Sequence, residues 1–425
     1  MSESEIVMNI NSTTAGMRDM QSKSVCMIAY TTYSMDGRVR LEAESLVDWG
    51  YDVTILVPKE EAAAKTYMLK GVRIQEVSVR KIRDNNKFRY ILSYVLFLAV
   101  AFVACTRLFL RSGIQVIHVH NMPDVLVFAA VIPCLLGCKL VLDLHDTVPE
   151  TYEAKFGKIS PLLRWCLRFE EKVCCWMADR VICVNHVQRE AVIGRGVPAD
   201  KIATVITMPR FASSPEPLPK SDRKQGFRMV NHGTISKRLG NDLILEAAAK
   251  LVHEIPGFEL HIIGDGENLN QMQSMAQSLG LEKAVFFQPA VRWDKLAEKL
   301  RIMDVGIVAN RVNIATELML PSKLIDYTVL GIPAIVPRLK GIEYYFSDEM
   351  VTYFEPENVD SIVAATLGLY RDSARMEQQA SKARKFLDEN GWDVNSNGLR
   401  GLYDRLLNDR WKPDLVGDKP DLKTP

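Results

Sequence analysis

The sequence predicts an α/β protein made of two doubly wound parallel-sheet units that face a cleft. Short runs rich in valine and isoleucine alternate with helical patterns along 25–208, as expected for parallel strands covered by helices on both faces. The alternation stops at a proline-bearing stretch, 209–225, and starts again at Phe227. A chain of 425 residues, 48% of them hydrophobic, can bury a separate core in each unit.

The chain divides into six predicted segments. Residues 1–24 are polar and lack the apolar core of a signal peptide. The four prolines of 209–225 predict a connection between domains. The segments are a disordered N-terminus (1–24), a first sheet unit (25–208), a linker (209–225), a second sheet unit (226–390), a C-terminal helix (391–407) and a flexible tail (408–425).

Composition excludes several classes of function. The formal net charge is +1, which gives no general attraction for nucleic acid. The eight cysteines include no CxxC pair and no zinc-type spacing with histidine, so we expect no metal centre. Their apolar surroundings predict reduced, buried thiols in a cytosolic protein.

Residues 80–110 join a basic run to an apolar one. Five basic residues and one acid occupy 80–89, and the 17 residues of 90–106 carry no charge. That length is at the lower limit for a transmembrane helix, and a buried core helix or an interfacial helix fits as well. The pattern favours peripheral docking on an anionic cytoplasmic leaflet. The alternative is a solvated basic loop before a core helix.

The most informative stretch is 316–336. Glu317 ends a polar loop, a Pro-Ser-Lys turn opens an apolar helix that carries Asp326, and Gly331 ends that helix before a strand. Free N–H groups at a helix start suit a phosphate, and carboxylates accept hydrogen bonds from sugar hydroxyls. The pattern therefore fits a nucleotide sugar. The alternative is an ordinary helix capped by Ser322 and carrying surface acids.

Two glycine loops follow predicted strands in the second half. Gly233 would let backbone approach a ligand closely, and Lys237 and Arg238 add positive charge suited to a diphosphate. Gly264 and Gly266 form a similar loop without the third glycine of a dinucleotide fingerprint. Simple surface turns are the alternative for both loops.

Polar side chains also follow strands in the first half. His118 and His120 share one face of a strand, and His120, nearer its end, is expected to reach the cleft. His118 is more simply a core histidine, and no third ligand indicates a metal. The Asp143-Leu144-His145-Asp146 run and Glu150 are candidates for the same mouth.

Taken together, these motifs resemble the retaining family-4 glycosyltransferases, which have the GT-B fold of two Rossmann-like domains. The resemblance covers about residues 25–407. The family pairs two glutamates separated by seven residues, whereas here eight residues separate Glu317 from Asp326. The motifs that carry the resemblance are Asp36-Gly37-Arg38-Val39, 116–121, His232-Gly233-Thr234 with Arg238 and Gly240, 263–266, Glu317 with 320–327, and 331–333.

The resemblance implies roles for individual residues. Asp326 would hold the donor ribose, and Glu317 and His120 would face the transferred sugar near the reacting centre. The last helix would cross back to the N-terminal, acceptor-side domain. The implied residues are His120 and Glu317 for catalysis; Gly233, Lys237, Arg238, Gly264, Gly266, Ser322, Lys323, Leu324 and Asp326 for the donor; and Asp36, Gly37, Asn121, His145 and Asp146 for the N-domain loop and acceptor side.

The expected function is transfer of a sugar, with retention, from a UDP- or GDP-sugar to a saccharide or polyprenol-linked acceptor. We expect a cytoplasmic protein, peripheral at the inner face of the membrane, without cofactor or metal. The alternatives are a nucleotide-sugar epimerase of the same fold and a non-catalytic scaffold subunit.

Overall fold

The structure is a computed structural model. It describes residues 23–61, 63–80, 87–206, 208, 226–291 and 293–407. Most of the predicted N-terminal segment, the run 81–86, the linker 209–225 and the tail 408–425 lie outside the described residues. The rest forms two sheets, each with its own helices, which confirms the predicted α/β class.

Eight strands form the first sheet, in the order β3-β4-β2-β1-β5-β6-β7-β8. All neighbours are parallel except β3, which pairs antiparallel with β4 at the edge. The sequence analysis missed β3 because the run is four residues long and half of its side chains are exposed. The strands are β1 Ser24–Ala29, β2 Asp52–Lys59, β3 Thr66–Leu69, β4 Val72–Arg80, β5 Val116–His120, β6 Lys139–Leu144, β7 Arg180–Cys183 and β8 Ile202–Thr204.

Six helices cover this sheet. α2, α5 and a 3-10 helix, Asp124–Ala130, share one buried apolar cluster and therefore lie on the same side of the sheet. No described cysteine is bridged, but Cys166 is exposed on α5, contrary to the expectation that every thiol is buried. The helices are α1 Gly37–Asp48, α2 Lys87–Ser112, α3 Val131–Leu135, α4 Val148–Phe156, α5 Pro161–Met177 and α6 His186–Ile193.

The second sheet has six parallel strands in the order β11-β10-β9-β12-β13-β14. These are β9 Phe227–Thr234, β10 Phe258–Asp265, β11 Val285–Gln288, β12 Val305–Ile307, β13 Ala334–Pro337 and β14 Thr352–Phe354. Its helices are α7 Asn241–Glu254, α8 Leu269–Ser278, α9 Trp293–Leu300, α10 Ser322–Leu330, α11 Lys340–Glu343, α12 Val359–Arg371 and α13 Ser373–Asn390.

The strand order reverses beside the first strand of each sheet. β1 lies between β2 and β5, and β9 lies between β10 and β12. At such a switch point the loops after two neighbouring strands diverge to opposite faces and leave a crevice at the carboxyl ends of the strands. His120 ends β5 and Gly233 lies near the end of β9, so both switch points carry predicted site residues.

The last helix, α14 Trp392–Leu407, packs against the first unit although it follows the second in the chain. Trp392 Nε1 donates to Ser45 Oγ at 3.1 Å, and the Tyr403 hydroxyl lies 2.7 Å from His118 Nδ1. Leu399 is wholly buried in an apolar cluster that includes residues of both sheets. The helix therefore joins the two units through their cores.

Candidate active site

Helix α10 begins beyond the end of β12, beside the switch point of the second sheet. Pro321, in extended conformation, occupies the N-cap position, and Ser322 is the first helical residue. The alternative that made the Ser322 side chain the cap is wrong, because no side-chain cap bond forms. The first N–H groups of a helix lack intrahelical partners and carry the positive end of its dipole, so this end suits an anion.

Lys323 places a buried cation beside this helix start. Its Nζ donates to Asn231 Oδ1 at 3.3 Å, and its Cε would lie 4.0 Å from a Cβ built on Gly233. Gly233 has φ +98°, a conformation that favours glycine. Arg238 follows the same strand, and its Nη1 is buried with no hydrogen-bond partner among the described residues. An anion at this point would accept hydrogen bonds that the protein leaves unused.

Burial and neighbouring positive charge shift two pKa values at this point. Burial and the neighbouring charge of Arg238 lower the pKa of Lys323 to about 8. Burial and the charge of Lys323 lower the pKa of His232 to about 3. At neutral pH the lysine therefore remains mostly charged while the histidine is neutral. A diphosphate would stabilise the charged lysine, since opposite charge at close range favours the ionised form.

Asp326 lies one turn further along α10 and faces the end of β9. Its Oδ2 is 3.5 Å from His232 Nε2, and the residue is 8% exposed. The neighbouring Tyr327 hydroxyl donates to the Val230 carbonyl at 3.0 Å, which fixes the helix against β9. The carboxylate is thus held at the end of β9, one turn from the buried Lys323, and out of bulk solvent.

Two predicted donor residues are placed differently from the expectation. The Leu324 side chain is wholly buried in the core, and its N–H donates to the Pro321 carbonyl at 3.0 Å. Leu324 therefore packs α10 against the core. The prediction differed because the sequence pattern did not separate the core face of α10 from its ligand face. Lys237 is exposed, and its N–H donates to Asn268 Oδ1 at 3.0 Å. The cation beside Gly233 is Lys323 instead.

Gly264 and Gly266 bring the loop after β10 against the loop after β9. A Cβ on Gly264 would overlap the Gly233 carbonyl, and a Cβ on Gly266 would overlap the Ile235 carbonyl. The Ile235 N–H also donates to the Asp265 carbonyl at 2.9 Å. These glycines shape the wall of the site, and their direct contact with a donor stays a prediction.

Glu317 lies in a 3-10 helix, Thr316–Leu318, just before α10. Its Oε2 accepts a hydrogen bond from the Lys340 N–H at 3.1 Å. The Leu318 carbonyl accepts one from Asn185 Nδ2 of the first unit at 2.9 Å. Glu317 therefore lies next to a contact between the two units, partly buried rather than in bulk solvent.

At the switch point of the first unit, two histidines share one carboxylate. His120 Nδ1 and His145 Nε2 lie 2.9 Å and 2.7 Å from Asp143 Oδ2. His120 is only 1% exposed, in contrast to the expectation that it would reach the cleft. The reason is that Asp143 holds its ring at the sheet end and the partly exposed His145 ring packs edge-on against it at 5.1 Å.

The charge states define how His120 can act. Burial would raise the pKa of Asp143, but the charge of His145 and hydrogen bonds from both histidines hold it well below its usual range. Burial lowers the pKa of His120. An ionised carboxylate only accepts, so the neutral His120 donates through Nδ1 and is an acceptor at Nε2. That Nε2 is buried with no hydrogen-bond partner among the described residues, so it has a free acceptor that a sugar hydroxyl would reach only if the side chains around it moved.

A second buried pair lies behind His120. His118 Nε2 is 3.7 Å from Glu42 Oε2 and 3.9 Å from Asp143 Oδ2. Burial, with the charge of Asp143 next, raises the pKa of Glu42, and burial lowers that of His118. Ligand atoms of Glu42, His118, His120 and Asp143 lie within 4.8 Å of one another and could hold a metal ion after contraction to zinc distances of about 2 Å. The expected absence of a metal stays a prediction.

Asn121 fixes the turn that carries His145. Its Nδ2 donates to the Asp146 carbonyl at 2.7 Å, and its Oδ1 accepts from the His145 N–H at 2.7 Å. A further bond of 2.7 Å runs from Nδ2 to Asp124 Oδ1. The Asn121 side chain is therefore used within the protein, so Asn121 is a positioning residue rather than the acceptor contact expected.

Asp36 and Gly37 bring the start of α1 to the same place. Asp36 Oδ1 accepts from the Val39 N–H at 3.2 Å and so caps the helix, and Gly37 is its exposed first residue. Burial would raise the pKa of Asp36, but the charge of His145 and a hydrogen bond from Thr31 lower it overall. Asp36 and His145 are thus electrostatic neighbours.

The sequence analysis missed three residues that support the site. Asn231 holds Lys323 and also donates to the Ile307 carbonyl at 2.8 Å. The signal for it was a polar residue inside an apolar strand. Glu42 is a buried acid on the apolar face of α1, and Tyr403 reaches His118 from 285 residues away. No local pattern could reveal that pairing.

Two family models match the chain. Residues 35–206 match the glycosyl transferase 4-like domain, and residues 217–386 match glycosyl transferases group 1. The chain belongs to this glycosyltransferase family. The two matches divide between the two sheets and confirm the predicted family-4 type of glycosyltransferase, while retention stays a prediction.

This glycosyltransferase matches only part of the length of relatives whose activities are described. It is 21% identical over 322 residues to the gpi3 subunit of phosphatidylinositol N-acetylglucosaminyltransferase from Schizosaccharomyces pombe, covering 75% of this chain and 66% of that protein. It is 23% identical over 233 residues to the GDP-mannose-dependent alpha-(1-6)-phosphatidylinositol monomannoside mannosyltransferase of Mycolicibacterium smegmatis, covering 52% and 61%. The chain thus spans less than two thirds of the length of these relatives.

Solved structures of other glycosyltransferases share the fold. Sucrose-phosphate synthase from Thermosynechococcus elongatus superposes with a TM-score of 0.73 at 14% identity, covering 91% of this chain and 100% of that one. Anabaena HepE in complex with UDP-glucose gives a TM-score of 0.65 at 13% identity, covering 90% and 99%. The predicted GT-B fold is confirmed.

Replacing Lys323 by methionine tests the buried cation. Folded Lys323 releases its proton near pH 8, whereas the unfolded chain keeps it to near pH 10.5. Between these values unfolding takes up a proton, so raising the pH stabilises the wild type relative to Lys323→Met, by about 3 kcal/mol across the window. Chemical denaturation from neutral pH to pH 10.5 measures this, with the exposed Lys250→Met as control. Equal pH slopes for wild type and Lys323→Met would contradict the burial.

Proposed function

We propose that the protein transfers a sugar from a UDP- or GDP-sugar to a saccharide or polyprenol-linked acceptor, with retention of the anomeric configuration. The observation that carries the proposal is the buried Lys323 beside Gly233, at the start of the helix that also bears Asp326, with the half-buried Arg238 as its charged neighbour. Positive charge, free N–H groups and a carboxylate within one helix fit the diphosphate and a hydroxyl-bearing group of one ligand.

The donor assignment is supported from two directions. UDP-glucose is bound in the HepE structure of the same fold, and the mycobacterial relative is named as dependent on GDP-mannose. In our proposal the diphosphate lies against Lys323, Arg238 and the start of α10, and Asp326 accepts from the ribose hydroxyls. The proposal assigns residues to the diphosphate and the ribose of the donor, and none to its base.

The proposed chemistry needs little covalent machinery. Departure of the nucleoside diphosphate builds negative charge, which Lys323, Arg238 and the helix N–H groups stabilise in a buried site. His120 accepts a hydrogen bond from the transferred sugar through Nε2, oriented by Asp143, and Glu317 faces that sugar from the second unit. Because protein cations meet the leaving group, we propose transfer without a metal ion or cofactor.

Helix α2 supports a lipid-linked acceptor and a peripheral place at the inner face of the membrane. Its residues 91–112 are long and apolar enough to cross a bilayer, and only 22% of their most apolar stretch is buried. Phe97, Ala101 and Cys105 are nevertheless wholly buried against the first sheet. A spanning helix would draw that sheet unit into lipid, where open strand edges are not tolerated. We therefore propose that α2 lies along the surface of the membrane.

A panel of UDP- and GDP-sugars tests the function. A bound donor raises the melting temperature by mass action, so we expect one sugar nucleotide to raise it more than the others. Adding membrane extract as acceptor should then release the nucleoside diphosphate at the same rate with and without a chelator. A panel without any stabilising donor would contradict the proposal. Isomerised donor without release of nucleoside diphosphate would indicate an epimerase.

Asp326→Asn tests the ribose contact. Losing a charged hydrogen-bond acceptor should weaken donor binding by about 1–3 kcal/mol, measured by calorimetric titration of the donor found in the panel. Asp360→Asn, an exposed position on α12, is the matched control and should bind like the wild type. If Asp326→Asn bound the donor as tightly as the wild type, the assignment of Asp326 to the ribose would be wrong.

A further inference from the structure

Helix α5 carries a large apolar face that the fold leaves uncovered. Leu162, Trp165, Phe169 and Trp176 are 71%, 61%, 55% and 79% exposed. At 3.6 residues per turn these four positions fall within an arc of about 60°. The rings of Trp165 and Phe169 stack with centroids 5.4 Å apart, so they form one surface rather than scattered contacts. We call these four residues the aromatic face of α5.

The aromatic face continues an apolar layer on one side of the first unit. α5 and α2 both pack on the 3-10 helix Asp124–Ala130, and α3, which contacts α2, ends at Leu135, 80% exposed. The outward side of α2 is apolar too, with Val95 and Leu96 about half exposed. Exposed apolar residues grouped on one side of a domain mark an interaction surface.

Charge identifies the kind of partner. Among the side chains of α2 and α5 whose exposure the structure describes, the exposed charged ones are all cations, and they include Arg107, Arg111, Arg168 and Lys172. α2 has no acidic residue. Of the two acids on α5, Glu171 is buried against Arg195 at 2.7 Å, and the half-buried Glu170 accepts a hydrogen bond from Cys174 Sγ at 3.5 Å. Tryptophans beside an apolar strip, flanked by basic side chains, suit the interface of an anionic bilayer, where rings sit at the headgroups and cations meet the lipid phosphates.

We propose that the aromatic face of α5 is a second membrane anchor, which docks with α2 on an anionic phospholipid surface. Two helices on one side of the unit fix its orientation on the bilayer, where a single helix would leave it free to rotate. The inference deepens the proposed function, since it rests on an acceptor held in the membrane. It requires only lipid for its test, so the two can fail separately.

Vesicle binding tests the anchor. Vesicles of equal phosphatidylglycerol and phosphatidylcholine should bind the full chain at low salt, and phosphatidylcholine alone should bind it less. The triple variant Trp165→Ser, Phe169→Ser and Trp176→Ser should lose at least about tenfold in vesicle affinity. The control is Leu279→Ser, Phe286→Ser and Ile302→Ser, which alters comparably apolar, partly exposed positions of the second unit and should bind like the wild type.

Binding of UDP or GDP shows whether each protein is folded. It should be the same in the wild type, the triple variant of α5 and the control variant. Unchanged vesicle affinity in the triple serine variant overturns the proposal. A wild-type dimer in light scattering that the triple variant dissociates, without vesicle binding by either, also overturns it and makes this face an interface between copies. Vesicle binding with no donor in the panel would retain the anchor and remove the proposed transfer.

A second variant separates insertion from a structural effect. Brominated acyl chains should quench tryptophan emission of the wild type on binding. Trp165→Phe with Trp176→Phe keeps the aromatic face, so it should still bind the vesicles but lose most of that quenching. Quenching equal to that of the wild type in this variant would place other tryptophans, not those of α5, in the lipid.

Discussion

A lysine buried at the start of a helix is costly unless an anion lies beside it, and Lys323 is such a residue. Asn231 holds it at 3.3 Å, Arg238 adds a second positive charge, and the helix end adds unpaired N–H groups. The free protein thus stores unfavourable electrostatic energy at one point. A diphosphate at that point relieves it, and the elements around it, from the β9 turn to α10, serve to hold this arrangement.

In the first unit the buried charge is a carboxylate, and the histidines beside it are neutral. Asp143 keeps its charge by accepting hydrogen bonds from His120 and His145, and burial keeps His120 and His118 neutral. A neutral, oriented imidazole is a hydrogen-bond acceptor for a sugar hydroxyl, not an acid. The two units therefore divide the proposed work: the second neutralises a leaving diphosphate, and the first orients the sugar. Helix α14 keeps them together, because Tyr403 reaches the histidine next to His120 in the sheet.

Local signals in the sequence were sufficient for most of the fold. The apolar runs 116–120 and 139–144 form β5 and β6, since a buried parallel strand can be recognised from a few consecutive apolar residues. β3 escaped because an exposed edge strand of four residues leaves no such pattern. The glycine at 233 and the acid at 326 were recognised from the motifs around them. Asn231 was not, because a polar residue inside an apolar strand gives no sign that Lys323, 92 residues on, lies beside it.

The side-chain environment was the part beyond reach. Sequence placed His120 at a strand end but could not show that Asp143, 23 residues on, would hold it inside. It marked 80–110 as apolar and basic, yet gave no sign that α5 presents its aromatic residues outward, since an amphipathic helix reads alike whichever way it faces. The exposure of a side chain depends on how the helices and strands pack together, so it becomes visible only in the three-dimensional structure.

The central claim is that a nucleoside diphosphate binds against Lys323. Calorimetric titration of UDP and of GDP at about pH 8, in buffers of different ionisation enthalpy, counts the protons taken up on binding. The account predicts uptake by the wild type for the nucleotide that binds, because the diphosphate raises a lysine pKa of about 8, and none by Lys323→Met. Equal proton uptake by both proteins, or no binding of either nucleotide, would contradict it.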